Sequence, residues 1–192
     1  MITASRPLHT GRLVLAPVDA LVGVEAEPLA DVLRDIGLIG APLPERSAAF
    51  ATGARFLELI AFTGCAVQVE LAPASAGGTF AHIRLQGPYP RPRLQSGRNT
   101  RPPRCPECGK ALATWRAQAQ AWQGARMPNL RCEVCSADTP AWRWGWRQHA
   151  GFGRSFVCIE EVFPGEGAPL PSLLEGLETL GIGAWHHFYV QD

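Results

Sequence analysis

Four cysteines constrain this chain more than any other feature. They stand as two pairs, Cys105-Pro106-Glu107-Cys108-Gly109-Lys110 and Cys132-Glu133-Val134-Cys135. Two residues between paired cysteines let one tight turn aim both thiolates at a single ion, while the N–H groups of the turn donate to the sulfurs and spread their charge. A tetrahedral four-thiolate site needs two such turns. Pro106 presets one backbone angle of the first turn, and Gly109 suits the left-handed position after the second ligand, a place that Ser136 takes in the second turn. Four thiolates favour zinc, or iron in a rubredoxin-like site, over hard cations that prefer oxygen. The expected ligands are therefore Cys105, Cys108, Cys132 and Cys135.

Through these four residues the stretch from Cys105 to Cys135 resembles the zinc-ribbon class of modules. The resemblance implies a structural metal and short β-hairpins between the knuckles, and it is specific for a metal rather than for an activity. Between the knuckles, however, Leu112, Trp115, Ala119 and Trp122 recur at helical spacing with Gly124 as a stop, which predicts a helix of about three turns.

At 192 residues and 46% hydrophobic content, the chain is long enough to bury a full core without disulfides. Two CxxC pairs without a signal peptide point to a reducing compartment, and the apolar run Leu13 to Val18 is too short for a transmembrane span. The expectation is a cytoplasmic protein with no membrane contact. Net charge is +1 overall, but residues 84–154 hold twelve Arg and one Lys against Glu107, Glu133 and Asp138, a local +10 balanced by −9 elsewhere. Such asymmetry suits an anionic partner. It also suits two regions that face each other within the fold.

Taken in order, the chain predicts a strand over Arg12 to Val18 and a helix in which Leu29, Val32, Leu33 and Ile36 form one face and Gly37 the stop. A short helical segment is expected near Ser47 to Ala51. Strands follow over Phe56 to Phe62, Cys65 to Leu71 and Phe80 to Gln86, read as a three-stranded meander with His82 and Arg84 on one face and Ile83 and Leu85 on the other. Residues 87–103 read as a Pro/Arg-rich linker whose prolines forbid regular pairing. Trp142 to Trp146 read as a strand with three tryptophans on one face, and Gly151 to Ser155 as a turn. Ser155 to Phe163 and Trp185 to Val190 read as strands around a helix with Leu173, Leu174, Leu177 and Leu180 on one face and Ser172 and Glu175 as a capping box. The fold class is α+β: a mixed sheet with a few helices, interrupted by the four-cysteine module. Its expected division is a discontinuous domain of residues 1–86 plus 154–192, the linker 87–103, and the module 104–153.

No HExxH, Walker, GxSxG or dinucleotide pattern occurs, so enzymatic chemistry is not expected. Cys65 and Cys158 lie in apolar runs as small hydrophobes, and His186-His187 alternate faces of a strand. Three functions remain open: a non-enzymatic zinc-binding adaptor for a protein partner, a DNA- or RNA-binding protein, and a rubredoxin-like iron redox or assembly factor. The nucleic-acid reading would use Arg91, Arg93, Arg98, Arg101 and Arg104 of the linker with Arg143 and Arg147 of the Trp/Arg stretch.

Overall fold

The computed structural model describes residues 11–63, 69–73, 79–122 and 128–192. The elements follow in the order β1 (Gly11–Pro17), α1 (Ala26–Asp35), β2 (Ile39–Pro42), β3 (Ala49–Thr52), the one-turn α2 (Phe56–Leu59), β4 (Ile60–Phe62), β5 (His82–Gln86) and β6 (Arg93–Ser96). They continue with α3 (Trp115–Gln120), β7 (Asn129–Arg131), β8 (Asp138–Pro140), β9 (Ala150–Gly153), β10 (Phe156–Glu160), β11 (Gly167–Pro169), α4 (Pro171–Glu178) and β12 (Trp185–Gln191). The fold is α+β. Six strands form one sheet in the order β12-β1-β10-β5-β3-β2, with every neighbouring pair antiparallel. β10 and β12 both run opposite to β1, so the C-terminal strand–helix–strand unit has parallel strands, with β1 inserted between them.

One face of this sheet is packed by helices. Leu13, Ile83, Val157 and Ile159 from the strands meet Leu29 and Leu33 of α1, Phe56 and Leu59 of α2, and Leu173 and Leu177 of α4, all at most 2% exposed. The predicted helix with Gly37 as its stop is present. Gly37 takes φ +82, and the bonds Gly37 N–H to Arg34 O and Leu38 N–H to Leu33 O close the helix end. The capping box of the last helix does not form: Leu170 is the N-cap and Pro171 opens the helix, so Ser172 already lies inside it.

Three other local expectations are corrected. The segment near Ser47 to Ala51 is not helical but leads into β3, with Ala48 in the left-handed region at φ 51. Phe56 to Phe62 begins as a helical turn because Phe56 and Leu59, three apart, both point into the core, and only Ile60–Phe62 is strand. No meander follows. β4 pairs with the distant β11, while β5 lies between β3 and β10. Of the expected strand Cys65 to Leu71, residues 65–68 lie outside those described and 69–71 are not in a strand. The assignment of His82 and Arg84 to the face opposite Ile83 and Leu85 holds, since only the latter pair joins the helix-covered core.

The second face carries Val14, Phe156, Cys158, Phe188 and Val190, all fully buried. Its cover is the β6–β9 ribbon. The prolines of residues 87–103 bracket the proline-free stretch Arg93 to Ser96, which therefore can pair, and the turn expected at Gly151 to Ser155 is largely β9. The segment is further tied down by Asn99, whose amide donates to Tyr189 O at 2.8 Å and whose Oδ1 accepts from Gln191 N–H at 3.0 Å. The ribbon approaches so closely that a Cβ at Gly151 would stand 2.3 Å from Phe188 Cε1. Gly151→Ala should therefore force the buried Phe188 ring aside and destabilise the protein by about 1–3 kcal/mol in urea denaturation. An unchanged midpoint would mean that the ribbon does not press on β12.

Among the described residues no helix is long and apolar enough to cross a membrane.

Candidate metal centre

Both cysteine turns are built alike. In the first, Cys105 N–H donates to Lys110 O at 2.9 Å and Gly109 N–H to Cys105 O at 2.9 Å. In the second, Cys132 N–H donates to Ala137 O at 2.8 Å and Ser136 N–H to Cys132 O at 3.0 Å. Gly109 and Ser136 occupy equivalent places and both adopt the left-handed conformation, at φ 71 and φ 62. Ser136 thus does what glycine does in the first turn, at the steric cost a Cβ brings there.

The four Sγ atoms lie within 4.8 Å of one another. The Cys105–Cys135 and Cys108–Cys132 sulfurs are 3.7 and 3.6 Å apart. A tetrahedron of sulfurs about 2.3 Å from a central ion has edges of about 3.8 Å, so the arrangement fits a four-thiolate ion. Cys105 and Cys132 are buried, and Cys108 and Cys135 face solvent. The N–H groups of Cys135 and Val134 draw the Cys132 thiol down to about 6. Cys135 moves the other way, to about 12: Ala137 N–H favours its thiolate, but burial and the sulfurs of Cys132, Cys108 and Cys105 outweigh that bond. Four sulfurs this close lose all their protons together only when a cation replaces them, which is the chemistry of a soft divalent ion.

The cluster sits on its own apolar core. Leu112, Trp115, Leu130, Trp144 and Trp146 pack with Cys105 and Cys132, and the same cluster reaches Ala20, Ala150 and Phe152 next to the large sheet. Trp115 and Trp146 meet edge to face at 5.1 Å. The predicted helix exists but is shorter, covering Trp115–Gln120. Its polar side chains brace the second knuckle, a role the spacing did not announce. Gln118 Oε1 accepts from Arg131 N–H at 2.9 Å and its amide donates to Arg131 O at 3.1 Å, while Thr114 Oγ1 donates to Glu133.

Trp142 to Trp146 is not a strand. A 3₁₀ turn covers Ala141–Arg143, after which Gly145 makes a single bridge with Arg104. Buried indoles need acceptors, and those of Trp144 and Trp146 find them just upstream, at Thr139 Oγ1 (2.9 Å) and Ala141 O (2.7 Å), which folds the chain back. Trp144 and Trp146 are core, 3% and 6% exposed, and no three-tryptophan platform forms.

The structure gathers some of the seven arginines singled out by sequence and separates others. Arg101, Arg104 and Arg147 line one hollow of about 230 Å³ with Pro102, Trp146 and His149, and no carboxylate lines it. Arg104 also donates to Gly109 O of the first knuckle at 3.0 Å. Burial and the charges of Arg101 and Arg147 hold His149 below its ordinary pKa. Arg93 stacks over Tyr89 at 4.1 Å, and Arg91, Arg98 and Arg143 do not line the hollow. His149 was missed by sequence because it lies beside Arg101 only after the chain has turned through the module.

Cys158 is fully buried and burial pushes its thiol up to about 12, which keeps it protonated and inert. Cys65 lies outside the described residues. His186 and His187 point to opposite faces, packing on Phe188 and Tyr189 respectively.

No protein-family model matches the chain, and no curated protein or solved structure matches it.

Proposed function

We propose that Cys105, Cys108, Cys132 and Cys135 hold one zinc ion as a closed structural clamp, and that the chain is a non-enzymatic binding protein whose metal-ordered module engages a protein partner. The observation that carries this reading is the convergence of four sulfurs within 4.8 Å on two like-built knuckles. With four protein thiolates the coordination sphere is complete, leaving no position for water or substrate. When bound, zinc supplies a cross-link between the two knuckles. Support for a protein partner comes from the seam between the module and the sheet. There Trp142, Val18 and Phe152 line a hollow of about 300 Å³, and Val18 and the nearby Leu21 are exposed at 61% and 48%. Affinity purification with the intact chain tests this: a partner retained by the parent and lost with Val18→Asp supports the reading, and equal retention contradicts it.

A second reading, nucleic-acid binding, is favoured by the carboxylate-free hollow of Arg101, Arg104, Arg147 and His149. It requires affinity for a labelled single strand that falls steeply with salt, and a shallower slope for Arg101→Ala with Arg147→Ala. A third, rubredoxin-like reading rests on the same sulfurs, because iron also accepts four thiolates. It requires a coloured, redox-active protein; a colourless zinc protein rules it out.

A further inference from the structure

Far from the cysteines, the apolar second face of the sheet gives way at one end to a row of ionisable side chains. Arg12, Glu160 and His82 stand directly opposite one another on β1, β10 and β5. Glu160 is 9% exposed and His82 6%. With Arg46, Ser47, Arg84, Glu161 and Asp192 they enclose a cleft of about 490 Å³ with no apolar side chain in its lining. One register step away on the same face, Val14 and Cys158 are fully buried, so the apolar cover stops short of this row. Burying charge in the middle of a sheet costs stability unless it is fully paired.

The pairing is unequal. Arg84 donates to Glu160 through both Nε and Nη2, and both bonds land on Oε1, which leaves Oε2 for another donor. Arg12 forms a two-pronged pair with Asp192 at 2.7 and 3.1 Å, while its Nε is buried without a partner among the described residues. Arg46 has no carboxylate partner among the described residues. It is positioned instead by neutral groups: it lies over the Phe80 ring at 4.8 Å and donates to His82 Nε2 at 3.1 Å. Because His82 Nδ1 lies 2.9 Å from Phe80 O, that nitrogen carries the proton and Nε2 is the acceptor. A guanidinium so fixed, with no carboxylate among the described residues at ion-pair distance and only the charge of Glu161 acting on it through the cleft, is a receptor for an oxyanion. In the same lining, Glu160 Oε2 and the Glu161 carboxyl, on a residue held at φ 62, are acceptors for hydroxyl groups.

We propose that this cleft binds a small hydroxylated molecule bearing an oxyanion, phosphate or carboxylate, with Arg46 receiving the anion and Glu160 a hydroxyl. The site is independent of the metal centre. The test uses the full metal-loaded chain, with glycerol 3-phosphate, glycerate and glycerol as probes in calorimetric titrations, and imidazole ¹⁵N shifts of His82 to place the binding. At least one of the two anions should bind saturably, tenfold or more tighter than glycerol, and should move the His82 Nε2 resonance; which one distinguishes phosphate from carboxylate. Arg46→Gln should weaken that binding tenfold or more, and Arg46→Lys should restore part of it. Absence of saturable binding by either anion, binding that leaves His82 unmoved, or undiminished affinity in Arg46→Gln protein of normal circular dichroism would overturn the proposal.

Discussion

Replacing Cys132 by serine is expected to release the metal and unfold the module while the six-stranded sheet survives. Cys132 Sγ lies 3.6 Å from Cys108 Sγ, and its backbone anchors the second knuckle. Structural zinc in isolated finger peptides is worth an apparent ~10–16 kcal/mol at neutral pH, about the stability of a whole domain. Among the described residues the module's strands, β7 and β8, are three residues each, so beyond the apolar cluster of Trp115, Trp144 and Trp146 the proposed metal would be its main cross-link. Among the described residues, none between Gln86 and Arg154 belongs to the helix-covered core of the sheet. Tryptophan emission from the module should therefore shift to the red while most far-ultraviolet helix and strand signal remains, with Trp185, 4% exposed, still buried. The complication is Phe152, which belongs to the module's cluster and sits on the ribbon covering the sheet. If the module drags that ribbon with it, the chain unfolds in a single transition on metal loss, and the two parts are one cooperative unit.

Trp146→Ala is expected to destabilise the module by about 3–5 kcal/mol. The indole is 6% exposed, stands edge to face with Trp115 at 5.1 Å, tilts against Phe152 at 5.8 Å, and donates to Ala141 O. Removing it leaves a large cavity beside Cys105 and strips a bond from a buried carbonyl. Metal should still bind, since the knuckles' own hydrogen bonds are local, but the module's thermal transition should fall well below that of the parent. Trp185→Phe provides the contrast. The Trp185 indole N–H is buried without a partner among the described residues, so that exchange forfeits no hydrogen bond they make and should cost less than about 1.5 kcal/mol. Equal losses for the two variants would show that Trp146 is not the module's keystone.

What could be read from the sequence was local. A CxxC turn is complete within six residues, so both knuckles and their convergence were legible before any fold was known. The same holds for α1 and α4, whose apolar spacing and stops lie within one stretch, and for β1, β10 and β12, whose runs are long and apolar. Partnership was not legible. β5 reads as the neighbour of the segment just before it, Cys65 to Leu71, yet it lies between the more distant β3 and β10, meeting β10 through His82↔Glu160 and four further pairs. Proline content hid β6, because five prolines in 87–103 outweighed the proline-free gap between Pro92 and Pro102, which holds the four-residue strand. Alternating Trp and Arg at 142–147 mimics a strand, but the burial of Trp144 and Trp146 comes from a turn that feeds their N–H groups. The ionisable cleft was half visible: one strand face placed His82 with Arg84, but Arg12, Arg46, Glu160 and Asp192 come from four other places in the chain.

The metal centre is tested most directly by combining elemental analysis with X-ray absorption at the metal edge, on protein purified without chelator. The account predicts one zinc per chain surrounded by four sulfurs at about 2.3 Å, with no oxygen or nitrogen neighbour. A metal content near zero, or a first shell containing a light atom, would contradict it.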